Sequence, residues 1–126
     1  MSDPLALIIE DNEDQADILA KALQAAGFET EIIHDGYKAL RRLEVIVPDL
    51  VILDLYLPRV SGTGILLQIR ADPRLAGTWV IVVTVEPELA DLLQDMADRV
   101  LVKPIDFAEL RDLAARLYPA TPSDKL

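Results

Sequence analysis

Short uninterrupted apolar runs alternate along the chain with segments whose apolar residues recur at helical spacing. Leu5-Ala6-Leu7-Ile8-Ile9 reads as a buried strand. From Glu13 to Ala26, residues Ile18, Leu19, Ala22, Leu23 and Ala26 keep one helix face, with Asn12 placed to cap the start and Gly27 to stop it. Phe28 to Ile33 follows as a second strand whose weaker alternation suits a sheet edge. Asp35-Gly36 turns the chain into a short helix carrying Ala39, Leu40 and Leu43.

The second half repeats the pattern. Pro48 precedes a third strand, Leu50-Val51-Ile52-Leu53. A loop with Pro58 and Gly62 leads to a helix carrying Ile65, Leu66 and Ile69, closed by Pro73. Trp79 to Val83 predicts a fourth strand, Glu88 to Ala97 a helix, and Val100 to Val102 a fifth strand. Asp106 to Leu117 predicts a last helix with Phe107, Leu110, Leu113 and Leu117 as its inward stripe. Strands alternating with helices predict an α/β fold, and their continuous apolar character predicts a parallel sheet covered on both faces.

Composition narrows the function. The 126 residues suit one domain, expected over 1–118 with a flexible C-terminal tail at 119–126. The absence of cysteine excludes disulfides, thiolate metal sites and cysteine nucleophiles. The N-terminus lacks a basic and apolar leader, and no apolar run is long enough to span a bilayer, so a soluble cytoplasmic protein is expected. A formal charge of −10 argues against direct nucleic-acid or anionic-membrane binding.

The acids matter because of where they fall. In open parallel sheets, ligands bind at the carboxyl ends of the strands. Those ends carry Glu10 and Asp11, then Asp54, Thr84 and Lys103 in chain order. Any one of these is explained by strands ending in something polar. Three carboxylates, a hydroxyl and a lysine at one edge are not. Carboxylates brought close repel unless a cation sits among them, and Mg²⁺ suits oxygen ligands. Such a metal, with Lys103 and Thr84, could hold a phosphoryl group while one carboxylate attacks it, with Asp54 best placed on a central strand.

These residues carry a resemblance. Ile8-Ile9-Glu10-Asp11-Asn12, His34 to Leu40, Asp49 to Pro58, the loop to Gly62, Val82-Val83-Thr84 and Val102-Lys103-Pro104 resemble response-regulator receiver domains of the CheY-like superfamily over roughly residues 4–118. The resemblance implies a flavodoxin-like (βα)5 fold with strand order 2-1-3-4-5. It implies Mg²⁺-dependent phosphoryl transfer to Asp54 from a sensor histidine kinase, a phosphotransfer protein or a small phosphodonor. Glu10, Asp11, Asp54 and the backbone carbonyl of Tyr56 would hold the metal, and Thr84 and Lys103 the phosphoryl oxygens. Lys103-Pro104 is expected to be cis. A downstream protein partner is implied but not named, and homodimers are a family habit.

The chain also departs from the family. Many relatives carry an aromatic residue where Val100 stands, and the 19 positions separating Thr84 from Lys103 are a few fewer than is common. Both departures concern the region that relatives use for output, so altered signalling is expected. Tyr56 and Glu86 stand at positions that flank the path of the hydrolytic water. Tyr56 either shields the acyl phosphate or merely packs over its loop. His34, the single histidine, reads as a turn residue away from the acidic cluster, Trp79 as packing, and Lys38, Arg41 and Arg42 as a solvated face. Two other functions compete with a switched receiver: an unswitched pseudo-receiver acting as an interaction module, and an Asp54-dependent phosphohydrolase. The latter lacks a suitable general acid at Tyr56.

Overall fold

A computed structural model describes residues 3–117. Its elements run β1 (Leu5–Ile9), α1 (Glu13–Ala25), β2 (Glu29–Ile33), α2 (Gly36–Leu43), β3 (Leu50–Asp54), α3 (Gly62–Ala71), a 3-10 turn (Pro73–Leu75), β4 (Trp79–Thr84), α4 (Glu88–Leu93), β5 (Arg99–Val102) and α5 (Phe107–Leu117). The strands form one parallel sheet in the order β2-β1-β3-β4-β5. The expected tail, 119–126, lies outside the described residues.

Strand alternation divides the core in two. Leu7, Ile9, Val51, Leu53, Val80 and Val82 face α2, α3 and α4, where Leu43, Ile65, Leu66, Ile69 and Leu93 meet them. Ala6, Ile8, Leu50, Ile52, Ile81 and Val83 face α1 and α5 and pack on Leu19, Leu23, Leu110 and Leu113. Apolar side chains on both faces of β1, β3 and β4 are what covering helices on both sides require. Trp79 packs partly buried against the second cluster, as expected.

Helix starts follow the local chemistry. Asn12 caps α1 by accepting from the Gln15 N–H at 2.9 Å, Asp35 caps α2 through Tyr37 and Lys38, and Ser61 caps α3. Gly27 takes a φ of +102° just past α1, a conformation that favours glycine.

Three expectations need correction. Ile18 is 49% exposed and Phe107 40% exposed, so neither belongs to the buried stripe of its helix. In α5 the buried positions are Leu110, Leu113 and Ala114, because the helix meets α1 along that line. Helix α4 ends at Leu93 rather than Ala97. Arg70 supplies the reason: its Nε donates to the Met96 carbonyl at 2.6 Å, and its Nη2 bonds Asp98 at 2.9 Å. The Asp98 carboxylate also accepts from the Val80 N–H at 2.7 Å, so after one last turn, closed by the Ala97 N–H on the Leu93 carbonyl at 2.9 Å, the chain is drawn onto the start of β4.

This strap should be measurable. Arg70→Met removes charge-assisted bonds to Met96 and Asp98 and one to the Thr78 carbonyl. We expect a loss of about 2 kcal/mol in urea unfolding with an unchanged denaturant slope. Arg70→Lys should recover only part, because an ammonium cannot reach three directions in one plane. A midpoint equal to wild type would show that the strap contributes nothing.

Candidate functional site

The strand order places the carboxyl ends of β1 and β3 side by side, flanked by β4 and β5. Glu10 immediately follows β1 and Asp54 ends β3; they are only 1% and 3% exposed. Thr84, the last residue of β4, is fully buried, whereas Asp11 is exposed. Lys103 follows β5, and its N–H donates to the Thr84 carbonyl at 2.8 Å. All the residues picked out at the sheet edge therefore converge. Carboxylate oxygens of Glu10, Asp11 and Asp54 lie within 4.8 Å of one another.

One cation organises the group. Lys103 Nζ lies 3.1 Å from Glu10 Oε1 and 3.0 Å from Asp54 Oδ2. Asp54 Oδ1 accepts from the Tyr56 N–H at 2.9 Å, and Glu10 Oε2 from the Asn12 N–H at 3.2 Å. The Thr84 hydroxyl oxygen accepts from the Glu86 N–H at 3.1 Å, which leaves its own proton free to donate. The Lys103-Pro104 peptide is cis, as expected.

The electrostatics reflect an excess of buried negative charge. Burial, and then the hydrogen bond and charge of Asp54, push the Glu10 carboxyl up to about 7, against the pull of the Asn12 N–H and Lys103. Burial disfavours the Lys103 ammonium, but its hydrogen bond to Asp54 and the charges of Asp54 and Glu10 prevail and raise it. A hard divalent cation fits this donor set: oxygen ligands only, two of the three nearly inaccessible, with one ammonium against three carboxylates.

The loop after β3 is positioned by close packing and side-chain contacts. A Cβ on Gly62 would lie 2.5 Å from Leu55 Cα and 2.8 Å from the Asp54 carbonyl oxygen, so only glycine lets α3 start directly against the end of β3. Arg59 has a φ of 69° and pairs with Asp35, tying the loop to the start of α2. On the other side the Tyr56 hydroxyl donates to Glu86, and the Tyr56 ring remains 52% exposed. That hydrogen bond, followed by burial and the charges of Glu86 and Glu88, raises the Tyr56 phenol.

Sequence reasoning missed some of this. Gly62 was visible only as a loop glycine, since its close neighbour is brought by the fold. His34 is exposed but not remote: its Nδ1 donates to the Glu10 carbonyl at 2.8 Å. It meets the backbone of Glu10 rather than the carboxylate cluster, because β2 runs beside β1. Val100 is half-buried and packs towards α4.

The model of the response regulator receiver domain family matches residues 6–115. The chain belongs to the response-regulator receiver-domain family. The Mycobacterium tuberculosis DNA-binding response regulator MtrA is 34% identical over 82% of this chain and 46% of its own length. The sensory transduction protein RegX3 of Mycolicibacterium smegmatis is 39% identical over the same shares. The chain thus spans about half the length of the curated relatives it matches. A CheY-like receiver-domain structure from Methylobacillus flagellatus is 30% identical and superposes with a TM-score of 0.82 over 92% of this chain and 99% of that one. This receiver domain is therefore a phosphoacceptor signalling module of the two-component kind. No helix among its described residues is long and apolar enough to cross a membrane.

The raised Glu10 carboxyl has a definite sign. The folded receiver holds a proton that the unfolded chain releases near the ordinary value of 4.5, so stability falls as pH rises towards and through 7. The raised Lys103 acts only above its ordinary 10.5, and the lowered Asp35 and Asp72 only below their ordinary 3.8, outside this window. In chelated buffer the urea midpoint should fall between about pH 5 and pH 8. Glu10→Gln should flatten that slope, and saturating Mg²⁺ should oppose it by favouring the ionised carboxylate. A wild-type midpoint that rises over this range would contradict the assignment.

Proposed function

We propose that Asp54 is the phosphoacceptor of this receiver domain and that Glu10, Asp11, Asp54 and the Tyr56 backbone carbonyl hold Mg²⁺ beside it. The observation that carries this reading is the Lys103 ammonium set between Glu10 and Asp54 at 3.1 and 3.0 Å. A buried carboxylate facing a fixed cation is prepared for the arrival of a phosphoryl group, whose oxygens bring further negative charge. Bound Mg²⁺ would neutralise part of that charge.

The chain's own groups account for the rest. An Asp54 carboxylate oxygen attacks phosphorus, and the bond from phosphorus to the donor breaks with its electron pair leaving on the donor. The donor is a phosphohistidine of a sensor kinase or phosphotransfer protein, or a small acyl phosphate. Lys103 moves its contact from the Asp54 carboxylate to a phosphoryl oxygen, and the Thr84 hydroxyl donates to another. The module acts in the cytoplasm by binding a downstream protein. It is a regulator rather than an enzyme with turnover, promoting only its own phosphorylation and dephosphorylation. An unswitched module is the weaker reading, since burying Glu10 and Asp54 together is costly without a charge-dependent role. Val100 and the six-residue α4 support an output that differs from the threonine–aromatic exchange of many relatives.

Intact mass after incubation with Mg²⁺ and acetyl phosphate tests the acceptor. One phosphoryl adduct is expected on the wild type, and none without Mg²⁺ or in Asp54→Asn. An undiminished adduct in Asp54→Asn would move the acceptor elsewhere.

The hydrogen bond from the Tyr56 hydroxyl to Glu86 supports the reading that Tyr56 restricts water reaching the acyl phosphate. Tyr56→Ala should shorten the lifetime of phosphorylated protein several-fold, read by the decay of the adduct after the donor is removed. An unchanged decay would reduce Tyr56 to a loop-packing residue.

A further inference from the structure

The outer edge of the sheet at β2 carries a feature that phosphoryl transfer does not use. Glu29 N–H donates to the Pro4 carbonyl at 2.8 Å, and the Ile33 carbonyl accepts from the Glu10 N–H at 3.1 Å. Odd-numbered residues of β2 therefore turn their backbone groups towards β1, and by alternation Thr30 and Ile32 turn theirs outward. Beside this edge runs α2. Lys38, Arg41, Arg42 and Val45 are spaced three, four and seven residues on, so they line one side of the helix and its exit. With Ile32 and Ile33 they bound an open trough of about 630 Å³.

The trough is apolar and basic together. Ile32 and Ile33 are half-buried, and Val45 is 72% exposed. Its acids are already engaged: Glu31 holds Arg42 at 2.7 and 3.0 Å, and Asp35 holds Arg59. Lys38 and Arg41 make no ion pair among the described residues. Lys38 acts on Asp35 by charge alone, and two cations without an ion pair beside an open strand edge stand out on a chain whose formal charge is −10. Screening over roughly 8–10 Å lets this local charge, rather than the distant net charge, meet a partner.

We infer that the trough between the β2 edge and α2 docks an extended acidic segment of a partner protein, which adds to the sheet as a strand beside β2. Backbone pairing with Thr30 and Ile32 supplies the general affinity. Alternate side chains supply selectivity, acidic ones on the α2 face towards Lys38 and Arg41 and apolar ones on the opposite face beside Ile32. A cationic, partly apolar edge selects acidic strands and discourages a second copy of this acidic chain.

The probe is a short blocked peptide alternating glutamate with valine, titrated into the full ¹⁵N-labelled chain. Shifts are expected at Thr30, Ile32 and residues 38–45, with slowed amide exchange at Thr30 and Ile32. Lys38→Glu with Arg41→Glu, both exposed positions, should weaken binding about tenfold or more. Matching thermal melts would establish that the fold is kept, and Lys38→Gln with Arg41→Gln serves if the reversal unfolds. Equal binding of a glutamine–valine peptide would overturn the acidic selectivity. Shifts confined to other surfaces, or no slowing at Thr30 and Ile32, would overturn the strand addition. Equal occupancy by inorganic phosphate or phosphatidylserine vesicles would show a generic anion or membrane surface instead.

Discussion

Glu10 and Asp54 are buried side by side, and the ammonium of Lys103 is what makes that arrangement tenable. An isolated buried carboxylate is strongly disfavoured, and two in contact more so. Lys103 offsets this only in part, as the upward pull on Glu10 shows. The residual negative charge is what a hard cation held by Glu10, Asp11 and Asp54 would neutralise. The same ammonium sits where a phosphoryl group would need it. The charge balance of the site therefore depends on two contacts of one ammonium, to residues 49 and 93 positions away.

Those contacts exist because of strand order. With β1 and β3 adjacent at the centre of the sheet, Glu10 and Asp54 emerge next to each other, and β4 and β5 bring Thr84 and Lys103 in from one side. From the other side β2 delivers His34 against the Glu10 carbonyl. The loop after β3 is then held over this edge by Gly62 packing on the strand end, by Arg59 reaching α2 and by Tyr56 reaching Glu86.

Helix α4 is the element in which local pattern and structure diverge most. Its sequence continues helically towards Ala97, yet the backbone of Met96 and Asp98 is claimed by Arg70 and by β4. Tertiary bonds to a guanidinium and to β4 outweigh the small gain of continuing the helix past the turn that Ala97 closes on Leu93. The departure in length noticed between Thr84 and Lys103 thus has its counterpart in a six-residue helix.

Much of this protein was legible one residue at a time. Apolar runs on β1, β3 and β4, the helix cap at Asn12, the turn at Asp35-Gly36 and the polar residue ending each strand are local signals, and each describes its own segment. The site residues could be picked out because a parallel sheet gathers its strand ends at one edge. Distances, burial and charge balance could not. Whether Ile18 and Phe107 are covered depends on which helix lies opposite, and whether His34 meets Glu10 depends on which strand lies beside which. The trough along β2 likewise exists only because that strand has a neighbour on one side. Sequence determined the elements and their chemistry, because those follow from near neighbours along the chain. Tertiary structure alone decided which groups share one low-dielectric space, because that is a matter of contacts across it.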